Sequence, residues 1–247
     1  MMGPVARAVR GGVSRRRVQT FVIGLVLAIS VGASVLALAL VVDSRSPFDH
    51  AFAAQRGADV AASIDTARVT PAELAATRRL AAVTGSDGPF PQVAATVQVG
   101  PGSQGSLPSL TFAGRASPGG AVDDLSLQSG HWPRAPGQLV LALNPASDFQ
   151  IGQPLGSKIS VTSAPGRPKL TVVGVATSVT TSASGWVTPG EVARLRGPGE
   201  PPSAEVLYRF RSAATAAAIQ ADERAVSAAL PAGSVTGAES YLAVRVG

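Results

Sequence analysis

The chain has 247 residues, 21 basic and 15 acidic side chains, and no cysteine. The missing cysteine excludes a disulfide framework, a thiolate metal site and cysteine lipidation. Five of the basic residues, Arg7, Arg10, Arg15, Arg16 and Arg17, lie in the first 17 positions with no acid among them, which leaves 16 basic residues against 15 acidic ones. The charge excess is therefore a local N-terminal feature, and no basic patch for nucleic acid is expected.

Residues 18–42 carry no charged side chain, a run of 25. As a helix this run is about 37 Å long, enough for a hydrocarbon core of about 30 Å. A signal peptide's apolar region is about 7–15 residues long, and the VVDSRSPF that follows is a poor cleavage site. A transmembrane helix is expected over 18–42, in preference to a cleaved signal or a buried soluble helix. The five arginines then hold 1–17 in the cytoplasm and put the rest of the chain outside. Gly24, Ala28, Gly32, Ala33 and Ala37 are small enough for close helix contact in lipid, although Ala and Gly abound throughout the chain. No second stretch qualifies: 170–190 is uncharged, but its TSVTTSASG is too polar.

Phe48 and Phe52 follow the span, in FDHAFAAQRG, and suit a membrane interface or the start of a stalk helix over 43–57. ADVAASI at 58–64 reads as a strand. In TPAELAATRRLAAVTG, Thr70 is a candidate N-cap, Pro71 the first helical residue, Glu73 the other half of a capping box and Gly85 the stop. PQVAATVQV places Val93, Ala95, Val97 and Val99 on one side of a strand, and LPSLTFAGRA returns across a GPGSQGS turn, a hairpin over 91–116. QLVLAL, KISVTS and KLTVVGVATS are three short strands with no helical period between 120 and 185. EVLYRFRS is a strand, Ser212 caps a helix whose apolar face is Ile219, Val226 and Leu230, and SYLAVRV is a last strand. The order β-α-β-β, β insertion, β-α-β suggests a split βαβ, ferredoxin-like α+β layer at 58–119 and 191–247, with a small all-β lobe inserted at 120–190.

Signals for chemistry are weak. Gly100, Gly102 and Gly105 match G-x-G-x-x-G, but Pro108 and a strand follow where a phosphate site requires a helix N-terminus. Neither G-x-x-x-x-G-K-S/T nor G-x-S-x-G occurs. The two histidines read structurally, His50 as a solvated or headgroup-level residue and His131 as part of a loop beside Trp132. Asp123–Asp124 reads as a solvated loop pair rather than a calcium site. Trp186 reads as a core or interface residue more than a stacking platform. No catalytic, cofactor-binding or metal residue is expected, and the chain is not expected to be an enzyme.

SGHWPRAPGQLVLALNPASDFQIGQPLGSKISVTS and KLTVVGVATS carry a resemblance. Gly130, Trp132, Pro133, Gly137, Gly152, Gly156 and Gly174 form a pattern similar to the periplasmic core domain of FtsX-like, MacB-like ABC transporter permeases. The resemblance covers nearly the whole chain and is strongest at 125–177. Family members typically have Glu where Gln138 stands and often Gly-Asp where Gly156 and Ser157 stand.

The resemblance implies an N-terminal piece of a permease with further membrane helices beyond Gly247. It implies a permease dimer in the cell membrane, a cytoplasmic ATP-binding subunit as partner, and an extracytoplasmic domain moved by that ATPase against an unknown substrate or partner protein. Residues 18–57 would transmit the motion. The alternative is a single-span anchored binding or sensor protein. An anchored hydrolase is poorly supported by the residues present.

Overall fold

The computed structural model describes residues 21–34, 49–99, 109–143 and 154–240. The chain divides into two compact units, Met1–His50 and Ala51–Gly247. In the first, 21–34 are helical with exposed side chains, Phe21 and Ile29 among them. No helix among the described residues is long and apolar enough to cross a membrane. The five arginines and the remainder of the expected span, 18–20 and 35–42, lie outside the described residues.

The second unit is a mixed α/β domain dominated by its sheet. Its elements are β1 (Val60–Asp65), α1 (Pro71–Thr77), β2 (Val83–Val99), β3 (Ser109–Gly114), β4 (Ser126–Gly130), β5 (Gln138–Ala142), β6 (Lys158–Val161), β7 (Lys169–Thr177), β8 (Gly185–Val187), α2 (Pro189–Leu195), β9 (Ser203–Phe210), α3 (Ala216–Ala228) and β10 (Val235–Ser240).

Four strands, in the order β10-β1-β9-β2, form an antiparallel layer. The strands joined through α1, β1 and β2, flank β9, and those joined through α3, β9 and β10, flank β1. Val60, Ala62 and Ile64 of β1 and Val206, Tyr208 and Phe210 of β9 share one face, as their two-residue period requires. They bury Leu74, Ile219, Val226 and Leu230 in one apolar core. Thr70 begins α1 with both halves of the capping box in place. The helix stops at Thr77, and Gly85 lies inside β2 rather than at the helix end. Thr215, not Ser212, caps α3. The last described strand is β10, VTGAES; most of the expected SYLAVRV strand lies outside the described residues.

The rest of the sheet closes on itself. β2 pairs with β3, β3 with β8, β8 with β5, β5 with β7, β7 with β6, and β6 with the far end of β2. This is a six-stranded barrel, which leaves no open edge within the ring. Val93, Ala95, Val97, Phe112, Leu139, Leu141, Ile159 and Leu170 fill its interior, with Val192 and Leu195 of α2. The 17-residue β2 belongs to both parts: its first half pairs with β9 in the layer and its second half is a barrel stave. The β region is therefore wider than the 120–190 expected from sequence, because 93–112 and 192–195 pack into the same core. The GPGSQGS turn lies outside the described residues, but β2 and β3 are antiparallel on either side of it.

Candidate functional site

Where layer and barrel meet, the loop after β3 folds back over the layer and buries a charged pair. Arg115 and Asp123 are 1% and 2% exposed, and Arg115 Nη1 reaches Asp123 Oδ2 at 3.2 Å. Arg115 Nη2 donates to the Asp123 carbonyl at 3.1 Å, and its guanidinium lies 4.4 Å from the centre of the Phe90 ring. The other carboxylate oxygen of Asp123 accepts from Ser178 Oγ and Thr180 Oγ1, both at 2.8 Å. A buried ion pair persists where its remaining polar atoms are also bonded, and of the side-chain polar atoms of Arg115 and Asp123 only Arg115 Nε has no hydrogen-bond partner. The solvated Asp123–Asp124 loop expected from sequence is thus half corrected: Asp123 is buried in a bonded cluster, while Asp124 stays at the surface.

The end of the 49–54 helix is tied to this cluster. Asp123 N donates to Arg56 O at 2.9 Å and Asp124 N to Gln55 O at 2.7 Å. Arg56 Nη2 pairs with Asp124 Oδ2 at 2.8 Å. Val179 N donates to Gln55 Oε1, and Ala58 N to Thr180 Oγ1. Gly57 is buried under Phe52 and Val179, so that any Cβ there would strike the Phe52 ring. Residues 55–58 thus bond to two loops separated by over fifty positions, and both loops converge on Asp123.

The residues behind the family resemblance build the barrel's outer wall. Gly130 ends β4 at φ +76, where a side chain would collide with the Val173 carbonyl. A Cβ at Gly174, opposite, would come 2.8 Å from His131 O. This close approach turns the chain inward, so that Trp132 packs on Trp186 with ring centres 6.0 Å apart and donates from Nε1 to Arg115 O at 3.1 Å. Pro133 is buried behind it. Gly137 donates from N to the buried Glu191 Oε2 at 3.0 Å. Gly156 makes the turn before β6, and Gly152 lies outside the described residues. Gln138 Oε1 accepts from Arg134 N and Ala135 N. A carboxylate oxygen would serve the same turn, so the Gln-for-Glu departure keeps the geometry.

His131 is exposed, its Nδ1 3.0 Å from Trp132 O, and His50 is exposed in its helix. Among the described residues no group of His, Asp and Glu is placed to hold a metal ion. Sequence reasoning missed Arg115, Glu205, Gln55 and Arg56. The available signal was charge inside apolar strand patterns, as in FAGR and SAEVLYRF, where a strand has no solvated face to spare.

No family model matches the chain, and no curated protein sequence matches it. Among solved structures it is similar to the periplasmic region of MacB from Actinobacillus actinomycetemcomitans, at 12% identity over 78% of this chain and 93% of that one, TM-score 0.41. It is also similar to a domain of a protein designated a permease from Porphyromonas gingivalis, at 10% identity over 72% of this chain and 85% of that one, TM-score 0.36.

Proposed function

We propose that this chain is the N-terminal part of an ABC transporter permease, a membrane helix followed by an extracytoplasmic domain that moves with the nucleotide state of a cytoplasmic ATPase. The sequence supports the topology through the five-to-zero arginine asymmetry ahead of an uncharged 25-residue run. The observation that carries the reading is the attachment of residues 55–58 to the Asp123 cluster. A segment held by backbone and side-chain bonds to two loops delivers a displacement to the layer–barrel junction, whereas a free linker would absorb it. The domain performs no catalysis of its own in this reading, and energy enters as a coupling free energy between ATP binding and domain conformation.

Topology is checked by single cysteines at Ser14 and Ser103. In intact cells an impermeant thiol reagent labels S103C and spares S14C, and the reverse pattern overturns the orientation. Coupling is checked by spin labels at Ala54, an exposed helical position, in a permease dimer reconstituted with its ATPase in lipid. The distance between the two labels changes when ATP is trapped and stays changed with a hydrolysis-blocked ATPase. Identical distances without nucleotide, with ATP and with ADP instead favour a single-span anchored binding protein.

A further inference from the structure

We propose that a cleft on the face of the four-stranded layer turned away from α1 and α3 binds an organic cation, an ammonium or guanidinium group held by Glu205 with Glu239 and Glu200 around it. This stands independently of the coupling proposed above. The strand register dictates the site. Residues of β1 and β9 alternate between the two faces, so the face turned away from α1 and α3 carries Ala61 and Ser63 on β1 and Ser203 and Glu205 on β9. Ser63 pairs with Glu205 on one side and Gly237 on the other, and Ala61 pairs with Glu239. Small residues beside acidic ones make the surface concave. The outer wall of the barrel and the loop after α2, with Arg196 and Glu200, complete a cleft of about 350 Å³, the size of a small-ligand site.

Glu205 lines this cleft and is 3% exposed. Its carboxyl has a hydrogen bond from Ser182. Among the described residues, no Lys or Arg stands within ion-pair distance of it. Arg115 acts on it through space but is itself paired with Asp123. A buried carboxylate without a counter-ion is expensive. Burial pushes the Glu205 pKa up to about 7, with Asp123 and Glu239 adding to the rise and Ser182 and Arg115 opposing it. The cleft holds three carboxyl groups against the single Arg196. They are not grouped for a metal ion, which suits a ligand with several separated N–H donors. Such a cation supplies the counter-ion that Glu205 lacks and exchanges with the Glu205 proton, so affinity rises about ten-fold from pH 6 to pH 8.

The test is calorimetric titration of the purified full chain with agmatine, with butylurea as an uncharged counterpart and a capped Gly-Arg-Gly peptide as a second source of guanidinium. Saturable one-to-one agmatine binding at pH 8, weaker by about ten-fold at pH 6 and absent for butylurea, is the expected result. E205Q lowers the affinity at least ten-fold and removes the pH dependence. G237L, whose Cβ meets nothing nearer than Ser63 at 3.8 Å, places a side chain in the cleft and also abolishes binding, and its melting temperature is measured alongside to separate a blocked cleft from a lost fold. Binding of agmatine alone assigns the cleft to free small cations, and binding of the peptide assigns it to a presented arginine side chain. No saturable binding of either, or binding that both variants leave unchanged, overturns the proposal.

Discussion

Asp123 shows how much one side chain holds here. It sits at φ +55 and joins Arg115, Ser178, Thr180 and the end of the 49–54 helix. Asn tolerates that backbone conformation, so D123N isolates the loss of charge. It leaves the Arg115 guanidinium buried and uncompensated, at an expected cost of about 3 kcal/mol, read by denaturant unfolding. Glycines separate in the same way. G130A meets the Val173 carbonyl as well as an unfavourable φ, whereas a Cβ at Gly137, φ +78, finds only Lys169 O at 3.7 Å. G130A is therefore expected to lower the melting temperature clearly more than G137A. Glu205 sets a pH dependence. An unfolded glutamate titrates near 4.5 and the folded one near 7. Between those values the folded state holds a proton that the unfolded state has released, so stability falls as pH rises through that window and levels off above it. The total is roughly 3 kcal/mol. E205Q should be the more stable protein at pH 8 and show a flatter profile from pH 5 to pH 8.

The elements divide between those made by local signals and those made by their neighbours. α1 is seven residues long, too short to persist alone. Its start is nonetheless written in Thr70 and Glu73, and T70A should cost about 1 kcal/mol in thermal unfolding. The backbone N–H of Thr70 holds the Glu73 carboxylate below its ordinary pKa. That contribution is present above about pH 4.5 and disappears as pH falls through the depressed value. β2 is the opposite case. Val93, Ala95 and Val97 announce a half-buried strand, but SDGPF, between the expected helix stop at Gly85 and Pro91, carries no strand signal. It extends as strand because β9 supplies partners from Val83 to Gln92, across irregularities at Val83/Gly85 and at Asp87/Phe90, the second of which spans Pro89, while Pro91 stays in register opposite Ala204.

At the scale of the whole molecule, the two cores decide what can be separated. The layer core uses only residues of 60–83 and 206–238. The barrel core mixes 93–112 with 139–172 and 187–195. Replacing 120–190 by a Gly-Ser linker is therefore expected to keep the helical circular dichroism of α1 and α3 but to bare Val93, Val97, Leu110 and Phe112. The shortened protein should bind a hydrophobic dye and self-associate. A monodisperse product that binds no dye would show that 93–112 finds a new cover without the barrel.

Sequence alone determined the features that depend on near neighbours or on solvent. The uncharged run and its arginine flank follow from the cost of charge in lipid, the α1 cap from contacts three residues apart, and the buried strands from their alternating or continuous apolar pattern. Tertiary structure alone decided how those strands join. That β6 returns to the far end of β2 and closes a barrel depends on pairing across sixty or more positions, which no local pattern encodes. The same holds for Asp123 and Glu205. In sequence each is one acid in a loop or a strand, and only the fold decides that one meets Arg115 and the other faces a cleft without a counter-ion, because burial and partner distance are properties of the packed chain.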